Sequence, residues 1–408
     1  MAAAKGRGCG TLSASTHSRS GMAYNLAAMT VLVRSFAKIN LGLRIGAVRP
    51  DGFHELLTVY QTIGLHDLIQ VSVARGSGIE IRCDDPKVPK DESNTCYRMV
   101  EKAMEALRAK GRVVIDIEKR LPVQGGLGGA SSNAVAALLG LERVLKKSLP
   151  ATERLRIAAE VGSDLPLFLV GGTVLGVGRG EQVHPLENLR ATACVVVTPE
   201  VGVWTPQAFA EWDRLMGEDI RGLKPAFARD LDAAPSTGSG QALKGRSSTV
   251  LPSSVVAATT AGLRPARTGK SARPHTGNAK LTAPKASDRM GELGRELSAW
   301  LSESYSGAPF RRGRAENPLL ELVRAGIKND FEQVVFPEYP ELSEGKCALE
   351  RAGAKYASLS GSGSALYGLF ASKEGARTAA ARLRRQGWAA QATVTLTRRE
   401  YWRGIFAG

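Results

Sequence analysis

Along most of the chain, short apolar runs alternate with segments of helical periodicity, and this pattern predicts an α+β protein. Apolar runs bounded by polar residues or glycine predict strands over residues 31–43 (with a bend), 68–73, 79–82, 113–117, 172–177, 194–197, 357–360, 365–370 and 391–396. Apolar residues at helical spacing predict helices over residues 94–109, 131–147, 151–161, 290–304, 318–325, 342–352 and 373–386. Ser93 is the expected cap of the first helix.

Two segments break this pattern. Residues 222–290 are rich in Ser, Thr, Ala, Pro and Gly, and they predict a disordered basic insertion because so little apolar area cannot offset the entropy of ordering. Residues 1–28 have no hydrophobic periodicity. Three interpretations stay open for them: an organelle transit peptide, a disordered tail, or a start codon assigned too early, with Met29 as the true first residue.

The charge distribution changes what the composition suggests. The formal net charge is +16, which at first suggests a nucleic-acid or membrane partner. However, residues 1–34 carry four basic and no acidic residues, and residues 236–287 carry eight basic and no acidic residues. These two segments hold twelve of the sixteen excess charges, so the basic composition does not favour a nucleic-acid-binding fold.

Cysteine usage and hydropathy limit the cellular locations in which the protein is expected. The five cysteines are widely spaced, without a Cys-x-x-Cys pair, and this favours a reducing compartment. The apolar run 165–178 is too short to cross a bilayer of about 30 Å. We therefore expect a cytoplasmic protein with no nucleic-acid and no membrane partner, and a plastid location only if residues 1–28 are a transit peptide.

The strongest candidate for chemistry is a glycine-rich loop between a predicted strand and a predicted helix. Residues 121–133 read LPVQGGLGGASSN, with four glycines in five positions. Glycines let the backbone approach a ligand closely, and a helix N-terminus offers free amides to an anion. The hydroxyls of Ser131 and Ser132 stand where phosphate or magnesium would bind. The spacing fits neither a Walker loop nor a Gly-x-Gly-x-x-Gly motif, so the loop predicts phosphate binding of another kind.

Three further clusters are weaker when each is taken alone. Lys38 and Asn40 stand two apart in an apolar strand, so both side chains point to one face. Asp164, in the run GSDLP, precedes an apolar segment and could simply cap a turn. Residues 359–365 form a small-residue turn between two predicted strands.

Taken together and in this order, these clusters resemble the GHMP small-molecule kinase superfamily. The runs AKINL at 37–41, RPDGFHEL at 49–56 and GSDLP at 162–166 carry the resemblance, and NDFE at 329–332 with FP at 336–337 adds to it. It covers about 29–215 and 291–408. The fold it implies has a ribosomal-protein-S5-like ATP-binding domain at 29–190 and a ferredoxin-like domain at 191–408, interrupted by the insertion at 222–290.

The resemblance also implies roles for individual residues. Lys38 and Asp164 match the family's catalytic lysine and aspartate. The ATP loop covers Pro122, Val123, Gln124, Gly125, Gly126, Leu127, Gly128, Gly129, Ala130, Ser131 and Ser132. The substrate positions are Asn40, Phe53, His54, Thr205 and Phe209. Phe53 stands where the family usually has tyrosine. Phe53 and Phe209 are expected to sandwich a pyrimidine base whose edge His54 reads.

The activity implied is ATP-dependent phosphorylation of the 2-hydroxyl of a cytidine-diphosphate-linked methylerythritol, with ATP and Mg²⁺ required. Ser132 is the one candidate protein ligand for the magnesium ion. The alternatives are a mevalonate- or homoserine-type kinase of the same superfamily and a non-catalytic GHMP-fold binding protein. In each case the partner is a small molecule, and the protein is a monomer or a homodimer.

Overall fold

A computed structural model describes residues 29–222 and 328–406 of the chain. Its first sheet contains β1 (Thr30–Val48), β2 (His54–Ala74), β3 (Ile79–Cys83), β4 (Arg112–Glu118), β5 (Thr173–Val177) and β6 (Gln182–Pro185). The strands run in the order β3-β4-β2-β5-β6, with β1 paired to β2 and only β3 and β4 parallel. The long antiparallel β1–β2 hairpin is the scaffold on which the site described below is arranged.

Four helices accompany this sheet: α1 (Thr95–Ala106), α2 (Gly129–Leu145), α3 (Ala151–Val161) and α4 (Leu165–Val170). Helix α2 packs on both strands of the hairpin, and its apolar residues Val135 and Leu138 join Val71, Ile115 and Phe168 in one buried core. Burial of this apolar surface is the main favourable contribution to folding of this half.

The second sheet is antiparallel and has the order β10-β7-β9-β8. It is formed by β7 (Ala193–Val197), β8 (Tyr356–Leu359), β9 (Leu366–Phe370) and β10 (Ala390–Val394). The accompanying helices are α5 (Thr205–Gly222), α6 (Glu332–Glu338), α7 (Pro340–Arg351) and α8 (Lys373–Arg385). Their buried faces form a second core that contains Trp212, Phe331 and Leu349.

Both cores are tied together through the hairpin and through the segment after β10. Leu43 and Ile45 of β1 belong to the second core, and Leu43 exchanges backbone hydrogen bonds with residues 328 and 330. In the other direction, helix α9 (Arg398–Gly404) returns to the first core. There the Tyr401 hydroxyl donates to the Phe168 carbonyl at 2.6 Å. The domain division at residue 190 stays a prediction.

Comparison with the sequence patterns confirms the α+β class and most of the elements. The predicted cap of α1 was wrong by one residue. Asn94 Oδ1 accepts the Cys96 amide at 2.8 Å, whereas Ser93 belongs to the preceding turn through Asp91. The patterns missed β6, α4, α5, α6, α9 and the first two thirds of β2, residues 54–67. Residues 1–28 and almost all of 222–290, together with the predicted helices at 290–304 and 318–325, lie outside the described residues.

Buried polar residues inside β2 explain why the sequence pattern did not predict residues 54–67 as a strand. Gln61, Thr62 and Asp67 are buried, which breaks the alternation that predicts a strand. Each is compensated by hydrogen bonds: Gln61 Nε2 donates to the Leu396 carbonyl at 2.8 Å, and Thr62 Oγ1 accepts the Gly172 amide at 3.0 Å. None of the helices in the described residues is long and apolar enough to cross a membrane.

Candidate active site

All of the predicted site residues except Ser132 line one cavity of about 950 Å³. It is lined by Pro122 to Ser131, by Lys38, Asn40 and Asp164, and by Phe53, His54, Thr205 and Phe209. The β1–β2 hairpin places these groups at different depths along its length. Lys38 pairs with Thr62 deep in the hairpin, and His54 pairs with Val48 near its turn. The lysine is therefore adjacent to the glycine-rich loop, and the aromatic residues lie further along the hairpin.

The glycine-rich loop ends in an uncapped helix N-terminus. Gly128, at φ +70°, precedes α2 and has no side chain to accept the first amides of the helix. These amides have no carbonyl partner within a helix, so they are available to an anion. A Cβ at Gly128 would lie 2.9 Å from Phe168 Cζ and 3.0 Å from Lys38 Cγ. Only glycine fits this position without displacing the lysine.

A second small-residue loop, residues 360–363, interlocks with the first. Ser360 Oγ donates to the Gly126 carbonyl at 3.0 Å, and the Ala365 amide donates to the Gly125 carbonyl at 2.9 Å. A Cβ on Gly363 would lie 2.3 Å from the Gly126 nitrogen. The turn that looked weak from sequence alone is thus the backbone surface on which the glycine-rich loop rests.

Lys38 and Asp164 form the polar centre of the cavity. Lys38 is 3% exposed, and its Nζ lies 2.6 Å from Asn40 Oδ1 and 3.5 Å from Asp164 Oδ2. Asn40 is held in turn by donating from Nδ2 to Thr58 Oγ1 at 2.8 Å. The Asp164 side chain is 32% exposed, so the carboxylate is open to a ligand in the cavity.

Tyr60 completes this centre and was not predicted from the sequence. Its hydroxyl donates to Asp164 Oδ1 at 3.0 Å, and its ring lies 5.7 Å from Lys38 Nζ. Burial, with the negative charge of Asp164 as a second cause, raises the pKa of Tyr60 well above its ordinary value. The phenol therefore stays protonated and remains a donor to Asp164. Tyr60 pairs with Asn40 across the hairpin, and this pairing could have placed it in the site. It was missed because the part of β2 that contains Tyr60 was not predicted as a strand.

The aromatic end of the cavity differs from the expected sandwich. The His54 ring stacks on Phe209, with centroids 4.9 Å apart and planes inclined by 15°. Phe331 closes the edge of Phe209. Phe53 is 52% exposed, and the Arg179 guanidinium carbon lies 4.9 Å from its ring centroid. The imidazole, rather than an open space, covers the inner face of Phe209, so the sandwich between Phe53 and Phe209 is not formed in advance.

Three of the residues with which helix α5 lines the cavity follow one another at intervals of four. Thr205 Oγ1 lies 2.8 Å from Ser362 Oγ, Phe209 stacks on His54, and Asp213 Oδ1 lies 2.8 Å from His54 Nε2. The spacing i, i+4, i+8 places all three on one helix face. Asp213 was not predicted from the sequence, although its spacing of four and eight residues from the two predicted positions indicates it.

Ser132 does not reach the cavity, in contrast to the expectation that it contacts phosphate or magnesium. Its hydroxyl is buried and donates to the Phe36 carbonyl at 2.7 Å, a bond that fastens α2 to β1. Ser131 does line the cavity. The reason is geometric: successive side chains in the first turn of a helix point about 100° apart, so only one of the two can face the loop.

Family models and solved structures identify the class of protein. Residues 94–172 match the model described as "GHMP kinases N terminal domain", and residues 315–389 match "GHMP kinases C terminal". A crystal structure of L. major mevalonate kinase in complex with R-mevalonate matches with a TM-score of 0.56 at 12% identity, covering 91% of this chain and 97% of that one. At this identity the likeness shows the fold, which is that of the GHMP kinases.

Relatives of higher identity narrow the class. A crystal structure of a 4-(cytidine 5'-diphospho)-2C-methyl-D-erythritol kinase matches with a TM-score of 0.56 at 26% identity, covering 90% of this chain and 99% of that one. The 4-diphosphocytidyl-2-C-methyl-D-erythritol kinase of Solibacter usitatus is 32% identical over 83% of this chain and 80% of its own length. That of Synechococcus sp. is 32% identical over 88% and 90%, respectively. The chain belongs to the 4-diphosphocytidyl-2-C-methyl-D-erythritol kinase family.

Proposed function

We propose that this chain transfers the γ-phosphoryl group of ATP to the 2-hydroxyl of 4-diphosphocytidyl-2-C-methyl-D-erythritol. The products are ADP and the 2-phosphate ester, and the reaction is a step in non-mevalonate isoprenoid precursor synthesis. One observation carries the proposal: the glycine-rich loop, the Lys38–Asp164 pair and the His54–Phe209 stack share one cavity. The cavity therefore offers an anion site, a charged centre and an aromatic surface together.

The residues of the loop fit the phosphates of ATP. The free amides of the first turn of α2 are donors for phosphate oxygens, and the missing Cβ of Gly128 leaves room for Lys38 beside them. A Mg²⁺ ion bound together with ATP would lower the charge repulsion between the phosphates. The described residues contain no group of three or more His, Cys, Asp or Glu that would hold a metal by itself. Phosphate oxygens would hold the ion, with Ser131 as the hydroxyl of this turn that lines the cavity.

Asp164 and Lys38 divide the chemistry of transfer between them. Asp164 accepts the proton of the attacking 2-hydroxyl. Because a carboxylate is a weak base for an alcohol, the proton moves late, as the new O–P bond forms. Lys38 neutralises the charge that builds on the transferred phosphoryl oxygens. Tyr60 holds one carboxylate oxygen through its hydroxyl, and Asn40 holds the lysine, so both act as positioning residues.

The aromatic end of the cavity is assigned to the cytosine. Phe53, half exposed, offers a flat apolar face to a base, and base–aromatic stacking is worth roughly 1–3 kcal/mol. His54 presents a ring nitrogen to the pyrimidine edge, and Phe209 supports the imidazole from behind. Thr205, near the start of α5, is the remaining polar group predicted to contact the nucleotide.

The test is ADP release by the purified chain with ATP, Mg²⁺ and one acceptor at a time: 4-diphosphocytidyl-2-C-methyl-D-erythritol, mevalonate or homoserine. We expect release with the cytidine substrate alone, and a matched Asp164→Asn preparation gives the background from contaminating ATPases. Release with mevalonate or homoserine instead would assign the chain to another reaction. Binding of the cytidine substrate without ADP release would identify a non-catalytic binding protein.

A further inference from the structure

Asp213 is a residue without a role in the proposed reaction, yet it touches the group that reads the base. Its Oδ1 lies 2.8 Å from His54 Nε2. The two residues are 159 positions apart, one on β2 and the other on α5. Asp213 is 52% exposed and His54 is 8% exposed, so the carboxylate reaches inward from the rim to a nearly buried ring.

The contact fixes which imidazole nitrogen carries the proton. A carboxylate only accepts hydrogen bonds, so His54 Nε2 must donate. In the neutral ring Nδ1 is then left as an acceptor. Within the described part of the chain, His54 Nδ1 has no hydrogen-bond partner. Because it is absent from the fully buried side-chain atoms without a partner, this nitrogen is at least partly accessible. It is therefore the nitrogen available to a ligand in the cavity that His54 lines.

The ring is held in orientation as well as in tautomer. Phe209 stacks against its face at 4.9 Å, and Asp213 restrains its edge. A ring flip would exchange Nε2 with carbon and break the bond to Asp213. Phe209 and Asp213 lie one helical turn apart on α5, so a single helix face fixes the imidazole plane and its rotation within that plane.

We propose that Asp213 is a specificity-determining positioning residue, which holds His54 as an acceptor at Nδ1 and thereby selects cytosine over uracil. This inference rests on the proposed function. Cytosine presents an amino group at position 4, which donates to an acceptor. Uracil presents a carbonyl there, whose lone pairs would face the lone pair of Nδ1. Leaving such groups unpaired in a desolvated site disfavours the uridine analogue by about 10- to 100-fold.

The experiment compares kcat/KM for the cytidine substrate with kcat/KM for the corresponding uridine diphosphate compound. Four proteins are used: the wild type, Asp213→Glu, Asp213→Ala and Asp213→Lys. The wild type and the glutamate variant are expected to prefer cytidine by about 10- to 100-fold. In the alanine variant the preference falls because the ring can rotate. In the lysine variant an ammonium donates to Nε2, Nδ1 carries the proton, and the preference shifts toward uridine.

A split between kinetic constants separates positioning from a general loss of structure. The change is expected in KM for the nucleotide substrates, with kcat and KM for ATP within a factor of about two. An unchanged cytidine preference in active alanine and lysine variants overturns the inference and leaves the proposed function standing. A wild type that phosphorylates neither compound overturns both.

A spectroscopic measurement on the wild type needs no substrate and no variant of Asp213. Histidine labelled with ¹⁵N distinguishes a protonated from an unprotonated ring nitrogen by chemical shift, and a His54→Gln protein assigns the signals. In the neutral ring we expect the proton on Nε2 and none on Nδ1. A neutral ring that carries its proton on Nδ1 overturns the inference.

Discussion

Replacement of Gly128 by alanine tests whether the glycine-rich loop positions Lys38. At φ +70°, an alanine is disfavoured by about 1–2 kcal/mol relative to its preferred backbone region. The new Cβ would also lie 2.9 Å from Phe168 Cζ and 3.0 Å from Lys38 Cγ. Because the phenylalanine is fully buried, the lysine is the side chain that can give way.

Two magnitudes follow from this geometry. The backbone conformation and the overpacking together lower the free energy of unfolding by about 2–5 kcal/mol. Lys38 moves by some tenths of an ångström relative to Asp164. Since a displacement of about 1 Å can lower a rate about 100-fold, a shift of some tenths of an ångström is expected to lower kcat by about 3- to 10-fold. The variant should still fold, because the affected contacts lie at one end of α2.

Gly129→Ala is the matched control for stability. It adds the same methyl group one residue later, at a position where φ is not positive and where the nearest atom is Lys119 Nζ at 3.3 Å, which is paired with Asp67. Without the positive φ and without a contact below 3.0 Å, Gly129→Ala is expected to lower the free energy of unfolding by less than Gly128→Ala does. Urea unfolding of both variants and steady-state kinetics of Gly128→Ala provide the data. Equal stability losses, or a kcat of Gly128→Ala within twofold of wild type, would refute the reasoning.

Three further predictions follow from the same site and core. Asp164→Asn should lower kcat by about 10²- to 10⁴-fold with ATP affinity, measured by calorimetry, nearly unchanged; turnover within a few-fold of wild type would remove Asp164 from the role of base. Phe53→Ala and His54→Ala should raise KM for the cytidine substrate but not for ATP, and an equal rise for both would indicate misfolding instead. Burial raises the pKa of Tyr356 to about 12. Above pH 10 the unfolded chain therefore loses a proton that the folded protein keeps, and the free energy of unfolding falls by up to about 1.4 kcal/mol per pH unit. Urea unfolding between pH 9 and 11.5 should show this decline, and it should be shallower in Tyr356→Phe; an identical slope would contradict the assignment.

The sequence predicted those parts of the fold whose physics is local. Helix α3 and strand β3 follow directly from apolar spacing within a few residues. The two-residue spacing of Lys38 and Asn40 correctly placed both on one face, and their side chains meet at 2.6 Å. The loop at 122–131 was predicted as an anion-binding loop because the glycines and the start of a helix both indicate this kind of site.

The parts that were missed depend on contacts distant in sequence. Asp67 is fully buried in β2 because it accepts the Arg120 and Leu121 amides, both at 2.7 Å, and pairs with Lys119. No local pattern predicts such compensation, so the strand was assigned too short. The bond between His54 and Asp213 likewise joins elements 159 residues apart. Helix α9 is different, since its capping box of Thr397 and Glu400 was visible in the sequence and was overlooked.

The return of α9 to the first core has a consequence for synthesis of the chain. Arg34 Nη1 donates to the Gly404 carbonyl across 370 positions, at 2.9 Å, and Phe36 packs on Tyr401. At ribosomal rates of about 5–20 residues per second, strand β1 is made roughly 20–70 s before the helix that covers it. For that interval the apolar surface around Phe36 and Phe168 is open on the nascent chain, as it would be on any fragment that stops at residue 222. This apolar surface is therefore open to chaperones and to other chains during synthesis, and a fragment that ends at residue 222 is expected to gain stability when residues 398–406 are supplied in trans.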